Sequence, residues 1–597
     1  MRIRTGKNLW GKIAKIIFGF AFIIFISLLS YFPSFNAPFQ FDDLPAIVDN
    51  PYIKITNLMP STLLRAGFQD RLHNRPLSNL SFAFNYYFGG LEPFGYHLVN
   101  FFLLIFTALG IWLVLFELFK KLGYERNRSA LLSWLCALLW CVHPLNTQAI
   151  TYIVQRHTAL AGAFSIWSIY FYHLARTQKR SWLYFLLCAL SAVIALTSKE
   201  SALTLPLIIF FYKIYFFDEL RWNRSNKLWL GFLAGFYLLG ALLFLRPEML
   251  AKLKSDFLKR EFSPLERFIS QPAILIWYLG LIIFPFPQFL SLEHGFSFFR
   301  SLSGYIWLGL GVIFILAVLT FAVRYAHRYR VFSFAVFWYF LVLLVEALPL
   351  PIDLASEHRL YLASLSIIAP LAGYLILRSR RPNLAFALLI LVAFFWAGFT
   401  HQRNLVWKSK ASLWKDAVLK APTLSRPWNN YCSALVEEGF CFQAERICQK
   451  AIYLAPSSPQ AYSSLGVCFL KKGDLSSAKK LFLKALELEP DYSPALFNLG
   501  MIYFKEKNWQ EAEKWLKQLA SPQSFYYLGI IEYRLDRTNE AISYFKKALE
   551  INPRSKEIAE RLAKILQEQR NCRELFELAK SYPFLRQIFL GFAKSCQ

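Results

Sequence analysis

Charged residues are scarce in this chain of 597 residues. Asp, Glu, Lys and Arg make up 17% of the sequence, whereas about 25% is usual for a soluble domain. Apolar residues concentrate in runs within residues 11–400, many of them near the length of about 17–25 residues that crosses a bilayer as a helix. A single soluble globular domain is therefore excluded. We expect a polytopic membrane domain over residues 1–400 and a soluble domain over residues 401–597.

The sequence also lacks any cysteine pair with metal-ligand spacing such as CxxC, although it contains nine cysteines. Free, packed cysteines are favoured, and a disulfide among Cys432, Cys441, Cys448 and Cys468 stays open. No small-residue cleavage site follows the apolar run 11–32, which is too long for a signal-peptide core. We interpret this run as an uncleaved signal anchor.

Positive charge is in excess, with a formal net charge of +28. Lys and Arg lie in short clusters between apolar runs, as the positive-inside rule requires, and nothing indicates nucleic-acid binding. With all clusters on the cytoplasmic side, the apolar runs form about eleven spans. These are residues 11–32, 96–119, 129–144, 147–175, 181–197, 200–217, 227–245, 302–323, 332–349, 359–377 and 383–400.

One apolar segment, residues 271–290, does not fit this alternation. Pro285 and Pro287 would break a helix there. We therefore expect a re-entrant or interfacial element, with a twelfth span as the alternative. The topology places two large loops, 33–95 and 246–301, and everything after residue 400 on the outer side.

The soluble part is repetitive. Pro422, Pro456 and Pro490 are 34 residues apart, the period of tetratricopeptide repeats, which are helical hairpins. Within residues 459–492 the small Gly466 and the large Phe482 occupy positions expected for helix contacts in such a repeat. The predicted fold class is all-α, with a helical membrane domain followed by a tetratricopeptide α-solenoid. Such solenoids commonly bind a partner protein.

Ionisable residues gather on the predicted outer face. Residues of this kind at membrane depth are costly and are functional candidates by default. A carboxylate can act as a general base toward a hydroxyl, and Lys and Arg can neutralise a phosphate. The candidates are Asp42, Asp43, Arg75, His97, His143, Arg156, Lys199, Glu200, Glu357 and Arg359.

Several motifs carry a resemblance to a known family. They are FDDLPAIVDNP, RPLSNLSFAFNYYFGG, GYHLVNFFL, HPLNTQAITYIVQR, SKESALTLP and EHRLYLAS, followed by the repeats. In these segments the chain resembles the transmembrane-and-tetratricopeptide O-mannosyltransferases and their bacterial relatives, which are GT-C glycosyltransferases.

The resemblance implies an inverting hexosyltransferase. A sugar, mannose-like, would pass from a polyprenyl-phosphate donor to an acceptor hydroxyl, on protein or on a glycan, at the outer or luminal membrane face. Asp42 or Asp43 would be the base, with Asp43 favoured, and the other candidates would bind the donor's phosphate and sugar. Because the two acids are adjacent and not spaced as DxD, no metal and no other cofactor is expected.

The resemblance also implies a location. The chain has fewer repeats than the animal enzymes, which favours a bacterial inner membrane with periplasmic repeats that recruit the acceptor. An endoplasmic reticulum membrane with luminal repeats is the eukaryotic equivalent. Two alternatives remain: an oligosaccharide ligase or polymerase with pyrophosphate-linked donors, and a membrane-anchored repeat scaffold without enzymatic activity.

Overall fold

The computed structural model describes residues 4–69, 75–221, 223–258, 260, 262–296 and 302–596, with backbone only for residues 4–16 and 302. Throughout these residues the chain forms helices and connecting loops, and they contain no strand. The chain divides into two compact units. The first comprises Met1–Asp43, Asn74–Ser78 and Pro93–Lys408, and the second comprises Leu44–His73, Asn79–Glu92 and Ser409–Gln597.

The α-helices are given in chain order. They begin with α1 (Arg4–Tyr31), α2 (Pro60–Phe68), α3 (Pro76–Gly89), α4 (Pro93–Lys121), α5 (Arg126–Cys141), α6 (Asn146–Ile150), α7 (Arg156–Thr177), α8 (Ser181–Leu196), α9 (Leu205–Phe216), α10 (Arg224–Phe244), α11 (Pro247–Phe257), α12 (Pro264–Ile283), α13 (Leu302–Arg324), α14 (Arg330–Leu344), α15 (Leu360–Ala363), α16 (Leu365–Arg378) and α17 (Pro382–Val406). They continue with α18 (Lys410–Lys420), α19 (Ser425–Glu437), α20 (Cys441–Leu454), α21 (Pro459–Lys471), α22 (Leu475–Leu488), α23 (Ser493–Lys505), α24 (Trp509–Leu516), α25 (Pro522–Arg534), α26 (Thr538–Ile551), α27 (Lys556–Glu568), α28 (Cys572–Ser581) and α29 (Arg586–Lys594).

Several helices of the first unit are long and apolar enough to cross a membrane. Among the described residues there are seven, or eight if the bent pair Glu357–Ala363 and Leu365–Arg378 forms one span. The seven are Ile17–Asn36, Pro93–Lys121, Arg224–Phe244, Pro264–Ile283, Ser303–Arg324, Arg330–Ala347 and Pro382–Val406. The sequence predicts about eleven spans; several of its other runs form shorter helices, such as α5, α8 and α9.

The segment expected to re-enter the membrane lies mostly in α12, a continuous helix of 20 residues. Ser263 and Glu266 form a capping box at its start, and Pro264 occupies the first turn, where its missing N–H is tolerated. The helix ends at Ile283, before Pro285 and Pro287. The prolines therefore terminate the helix and do not break it, so its length matches a span.

The first unit packs closely around α7. A Cβ atom added to Gly162 would lie 2.7 Å from the Tyr361 ring, and one on Gly110 would lie 2.9 Å from Ile166. Only a residue without a side chain permits such approaches. The Tyr361 hydroxyl donates to Thr107 Oγ1 at 3.1 Å, and Trp140 Nε1 donates to the Tyr361 carbonyl at 2.8 Å. This packing fixes the segment that contains Arg359.

The second unit contains the predicted tetratricopeptide solenoid, which confirms the all-α fold class. In three hairpins the first helix presents a glycine to a large side chain of the second. A Cβ atom on Gly466 would lie 2.8 Å from Phe482, one on Gly500 2.6 Å from Leu516, and one on Gly529 2.9 Å from Phe545. Disulfides join Cys432 to Cys448 and Cys572 to Cys596.

The second unit also includes residues of the loop 33–95 that is predicted to lie on the outer side. Arg554, between α26 and α27, donates from Nη2 to the Tyr87 carbonyl at 2.6 Å. Its guanidinium carbon lies 3.8 Å from the centre of the Phe584 ring and 4.8 Å from that of Tyr86. The C-terminal end of α3 is thereby held by the last repeats.

Candidate active site

The acidic pair after α1 occupies two different environments. Asp42 is exposed, and its backbone N–H donates to the Tyr152 hydroxyl at 2.8 Å. Asp43 is 1% exposed, and its carboxylate accepts from the backbone N–H of Gln40 at 2.9 Å and of Val154 at 2.6 Å. Both oxygens of Asp43 are thus used to hold the main chain.

Burial raises the pKa of Asp43 from 3.8 to about 8, against the effect of the two backbone donors and the Arg156 charge. Phe41, just before the pair, has φ of 39°. A non-glycine residue in this region carries backbone strain, which concentrates at functional sites.

His97 and Arg156 lie in the structure around this pair. His97 Nε2 is 2.9 Å from the carbonyl oxygen of Ala37, which lies in the loop between α1 and the two acids. Arg156 is fully buried, and it donates to the Tyr96 carbonyl at 2.9 Å and to Asn100 Oδ1 at 2.7 Å. His97 therefore holds the loop before the acids, whereas Arg156 holds α4 and places its charge near Asp43.

A second group consists of Lys199, Glu346 and Arg359, which are 6%, 8% and 7% exposed. Lys199 Nζ lies 2.7 Å from Glu346 Oε1, and Arg359 Nε lies 2.9 Å from Glu346 Oε2. Lys199 also donates to Thr158 Oγ1 at 3.0 Å. The Arg359 terminal nitrogens donate to main-chain carbonyls of residues 353 and 354. The group is a buried ion-pair network of two cations and one carboxylate.

Arg75 and Glu200 extend this network. Arg75 Nη2 lies 2.8 Å from Glu200 Oε2, with the two side chains 20% and 38% exposed. Arg75 Nη1 also lies 3.2 Å from His157 Nε2. The pair is more exposed than the Lys199 group.

A short segment, residues 152–158, contacts both groups. It comprises the turn Ile153–Gln155 and the first residues of α7. Tyr152 and Val154 bind the Asp42–Asp43 main chain and side chain, whereas His157 and Thr158 contact Arg75 and Lys199. The start of α7 therefore fixes the acids relative to the cations.

The remaining two predicted residues bind other parts of the chain. His143 Nε2 lies 3.0 Å from the Ile282 carbonyl, and its Nδ1 accepts from the Leu145 N–H at 3.3 Å. Glu357 Oε1 accepts from the Ser291 N–H at 2.5 Å and lies 3.1 Å from His294 Nε2. His143 therefore contacts the last turn of α12, and Glu357 holds the segment that follows it.

Sequence reasoning missed Glu346 and Arg267. Glu346 is an acid at the end of an apolar run. An ionisable residue at membrane depth costs free energy, and this cost in itself marks it as a functional candidate. Arg267 is fully buried and donates to the carbonyls of Glu346, Leu348 and Ile352 at 2.7, 3.1 and 2.8 Å. It fixes the main chain beside Arg359, a role that no sequence spacing indicates.

Two cavities lie next to this network. One, of about 50 Å³, has Thr158, Glu346, His358 and Arg359 in its wall. The other, of about 70 Å³, is lined almost wholly by apolar side chains of α4, α9, α14 and α16. Ile169 and Trp338 border both cavities. A cavity with charged residues in its wall thus adjoins an apolar cavity.

Comparison with known proteins gives matches in both parts of the chain. Family models described as tetratricopeptide repeat match residues 469–524 and 522–555. Protein O-mannosyl-transferase tmtc2 of Xenopus laevis is 29% identical over 212 residues, and Protein O-mannosyl-transferase Tmtc3 of Drosophila melanogaster is 25% identical over 505 residues. The chain resembles the protein O-mannosyl-transferases. This confirms the resemblance predicted from the motifs.

The matches differ in extent. The frog alignment covers 33% of this chain and 24% of that protein, and the fly alignment covers 71% and 54%. The chain thus spans between about a quarter and about half of these relatives. A solved structure titled "Functional Characterization of Pseudomonas Aeruginosa pilF" is 23% identical and covers 28% of this chain and 76% of that chain, with a TM-score of 0.25.

Proposed function

We propose that the protein is a membrane glycosyltransferase that transfers a mannose-like sugar from a polyprenyl-phosphate donor to a hydroxyl of an acceptor protein. The observation that carries the proposal is the pair of buried cations, Lys199 and Arg359, beside a charged cavity that adjoins an apolar one. A lipid phosphate needs cations for its phosphate group and an apolar surface for its lipid chain. The resemblance to protein O-mannosyl-transferases supports the choice of sugar and acceptor.

The donor phosphate binds Lys199 and Arg359 in this proposal, and the start of the prenyl chain, next to the phosphate, enters the apolar cavity. Cations at the phosphate stabilise the negative charge that develops on the leaving group. Arg75 and Glu200, which are more exposed, contact the sugar. No step requires a metal ion.

Asp42 is the general base, because it is exposed and can meet an acceptor from outside. Its carboxylate accepts the proton of the acceptor hydroxyl while that oxygen forms a bond to the sugar C1. The C1–O bond to phosphate breaks, its electron pair leaves with polyprenyl phosphate, and the configuration at C1 inverts. Asp43, whose oxygens bind backbone N–H groups, positions Asp42.

The reaction takes place on the outer membrane face, with the repeats recruiting the acceptor. The two disulfides of the second unit support this side, since disulfides form in oxidising compartments such as the bacterial periplasm or the lumen of the endoplasmic reticulum.

The test is transfer by the purified full chain from a panel of radiolabelled donors, both polyprenyl-phosphate sugars and pyrophosphate-linked ones, with membrane lysate as acceptor. Asp42→Asn should reduce transfer by about 10²–10⁴-fold, the usual contribution of a general base. Asp49→Asn, which changes an exposed acid of the same loop, is the matched control. Full activity of Asp42→Asn, or transfer only from pyrophosphate donors, would contradict the proposal.

A further inference from the structure

Glu346 contacts both cations to which the donor phosphate is assigned. We propose that its carboxylate holds Lys199 and Arg359 in place for a lipid monophosphate and is exchanged for that phosphate in each catalytic cycle. This inference rests on the proposed function and deepens it, because it specifies the charge of the group that the site accepts.

The geometry of Glu346 is that of a phosphate substitute. Each carboxylate oxygen meets a different cation, Lys199 Nζ at 2.7 Å and Arg359 Nε at 2.9 Å. Arginine and lysine bind carboxylate and phosphate oxygens by the same charge-assisted contacts. Two phosphate oxygens can therefore take the positions of the two carboxylate oxygens.

The existing contact is imperfect. Arg359 Nε and Glu346 Oε2 are close enough for an ion pair but lack hydrogen-bond geometry, and each atom is buried without a hydrogen-bond partner in the described part of the chain. His358 Nδ1 is likewise buried and unpartnered there. All three residues border the charged cavity. Buried polar atoms of this kind cost free energy, which a better-aligned ligand would recover.

The surroundings allow the side chain to turn away while the rest stays fixed. Arg267 Nη2 holds the Glu346 main-chain carbonyl at 2.7 Å, and Arg267 Nη1 holds the Ile352 carbonyl at 2.8 Å. Arg359 is held by its two terminal nitrogens, which donate to the Asp353 and Leu354 carbonyls. Exchange therefore needs a rotation of the Glu346 side chain into the cavity that it borders.

The charges fit the reaction. The donor is a phosphate diester with one negative charge, and cleavage leaves a monoester with up to two. Without Glu346, two buried cations would retain this product tightly. A carboxylate that returns to Lys199 and Arg359 competes with the product and promotes its release.

The test measures binding of radiolabelled polyprenyl phosphate, without sugar, to the full chain in detergent. Glu346→Gln removes the competitor, so the dissociation constant should fall by about tenfold or more, equivalent to ~1.4 kcal/mol. In steady-state transfer, KM for the donor and kcat should both fall, since release of product becomes slower. Glu532→Gln is the control, because Glu532 is also a buried carboxylate, 2% exposed, that accepts from an arginine, Arg537, at 3.1 Å.

A merely structural Glu346 predicts the opposite. Loss of a buried charge partner would then disorder the cations, and Glu346→Gln would bind polyprenyl phosphate more weakly or with unchanged affinity, which would overturn the proposal. Glu346→Asp provides a second variant in case Glu346→Gln does not fold. Its side chain retains the charge but is too short to contact both cations. It should also bind more tightly than the wild type. Tighter binding by these variants without sugar transfer by the wild type would support exchange and refute the transferase.

Discussion

Asp42 and Asp43 are neighbours in the sequence with different chemical capacities. Asp42 faces solvent, whereas both oxygens of Asp43 bind backbone N–H groups. The sequence favoured Asp43 as the base; the geometry assigns that role, in our proposal, to Asp42. One buried and one exposed acid divide positioning and proton transfer between them.

Asp43 should make stability depend on pH. Because its folded pKa of about 8 lies above its usual 3.8, the folded state keeps a proton that the unfolded state loses, and stability falls as pH rises through this range. At pH 5 the wild type should be more stable than Asp43→Asn by about 1–3 kcal/mol, because an amide satisfies one backbone donor at most. This difference should shrink toward pH 8.

The measurement is thermal unfolding in detergent at pH 5, 6, 7 and 8, with the exposed Asp49→Asn as control. A difference between wild type and Asp43→Asn that grows with pH would show that the buried acid is ionised in the folded protein.

The sequence identifies the site's cations but not their partner. Lys199 and Arg359 stand out as charges next to apolar runs, and the structure brings them to one carboxylate. Glu346 is distant from both in sequence, so no local pattern links the three. His97, His143 and Arg156 carry the same sequence signal, yet they bind main-chain carbonyls. The sequence marks ionisable residues that are energetically costly at membrane depth. It does not distinguish residues that would bind the donor from residues that hold the main chain.

At the scale of elements, residues 152–158, which lead into α7, organise the candidate site. They contact the acids on one side and the cations on the other, and Gly162 lets α7 approach Tyr361. A change in this packing should therefore affect the position of Arg359.

Gly162→Ala should destabilise the protein by about 1–3 kcal/mol, the usual cost of overpacking, because the new Cβ atom would lie 2.7 Å from the Tyr361 ring. Transfer should decrease as the segment with Arg359 shifts. Gly240→Ala is the matched control, since its Cβ position has no described atom within 4 Å apart from the adjoining residues and the nearby backbone of its own helix. Thermal unfolding and the rate of sugar transfer are measured for both variants. Equal effects of the two substitutions would refute the packing argument.

Periodicity predicts the helices of the repeats well, because three hairpins repeat the same contact between a glycine and a large side chain. It predicted membrane spans less well. The apolar runs of α5, α8 and α9 are interrupted by turns after 16, 16 and 12 residues, and hydrophobicity alone does not show where a buried helix ends. Helix α12 reaches the length of a span because Pro285 lies after the end of the helix and not within it.

At the scale of the whole molecule, the disulfides stabilise the end of the chain. The bond between Cys572 and Cys596 spans 24 residues that include α28 and α29. Cys572→Ser should cost about 3.5 kcal/mol, by the loop-closure relation for this length. Cys441→Ser, at a free cysteine, should cost less.

Urea unfolding of the full chain, followed by limited proteolysis of the repeats, measures this difference. Thiol alkylation of the denatured, unreduced protein should label Cys136, Cys141, Cys188, Cys441 and Cys468. Labelling of Cys572 or Cys596 in protein isolated from its native compartment would contradict the pairing.

The contact between Arg554 and the Tyr87 carbonyl has a consequence for synthesis. Its two residues are 467 positions apart, and ribosomes add about 5–20 residues per second. Helix α3 therefore leaves the ribosome tens of seconds before its binding surface exists. During that interval the aromatic end of α3 has to be shielded by a chaperone or by the lipid surface. The contact can form only after Arg554 has been synthesised, so a chain that stalls before Arg554 leaves an unfinished surface for quality-control proteases to recognise.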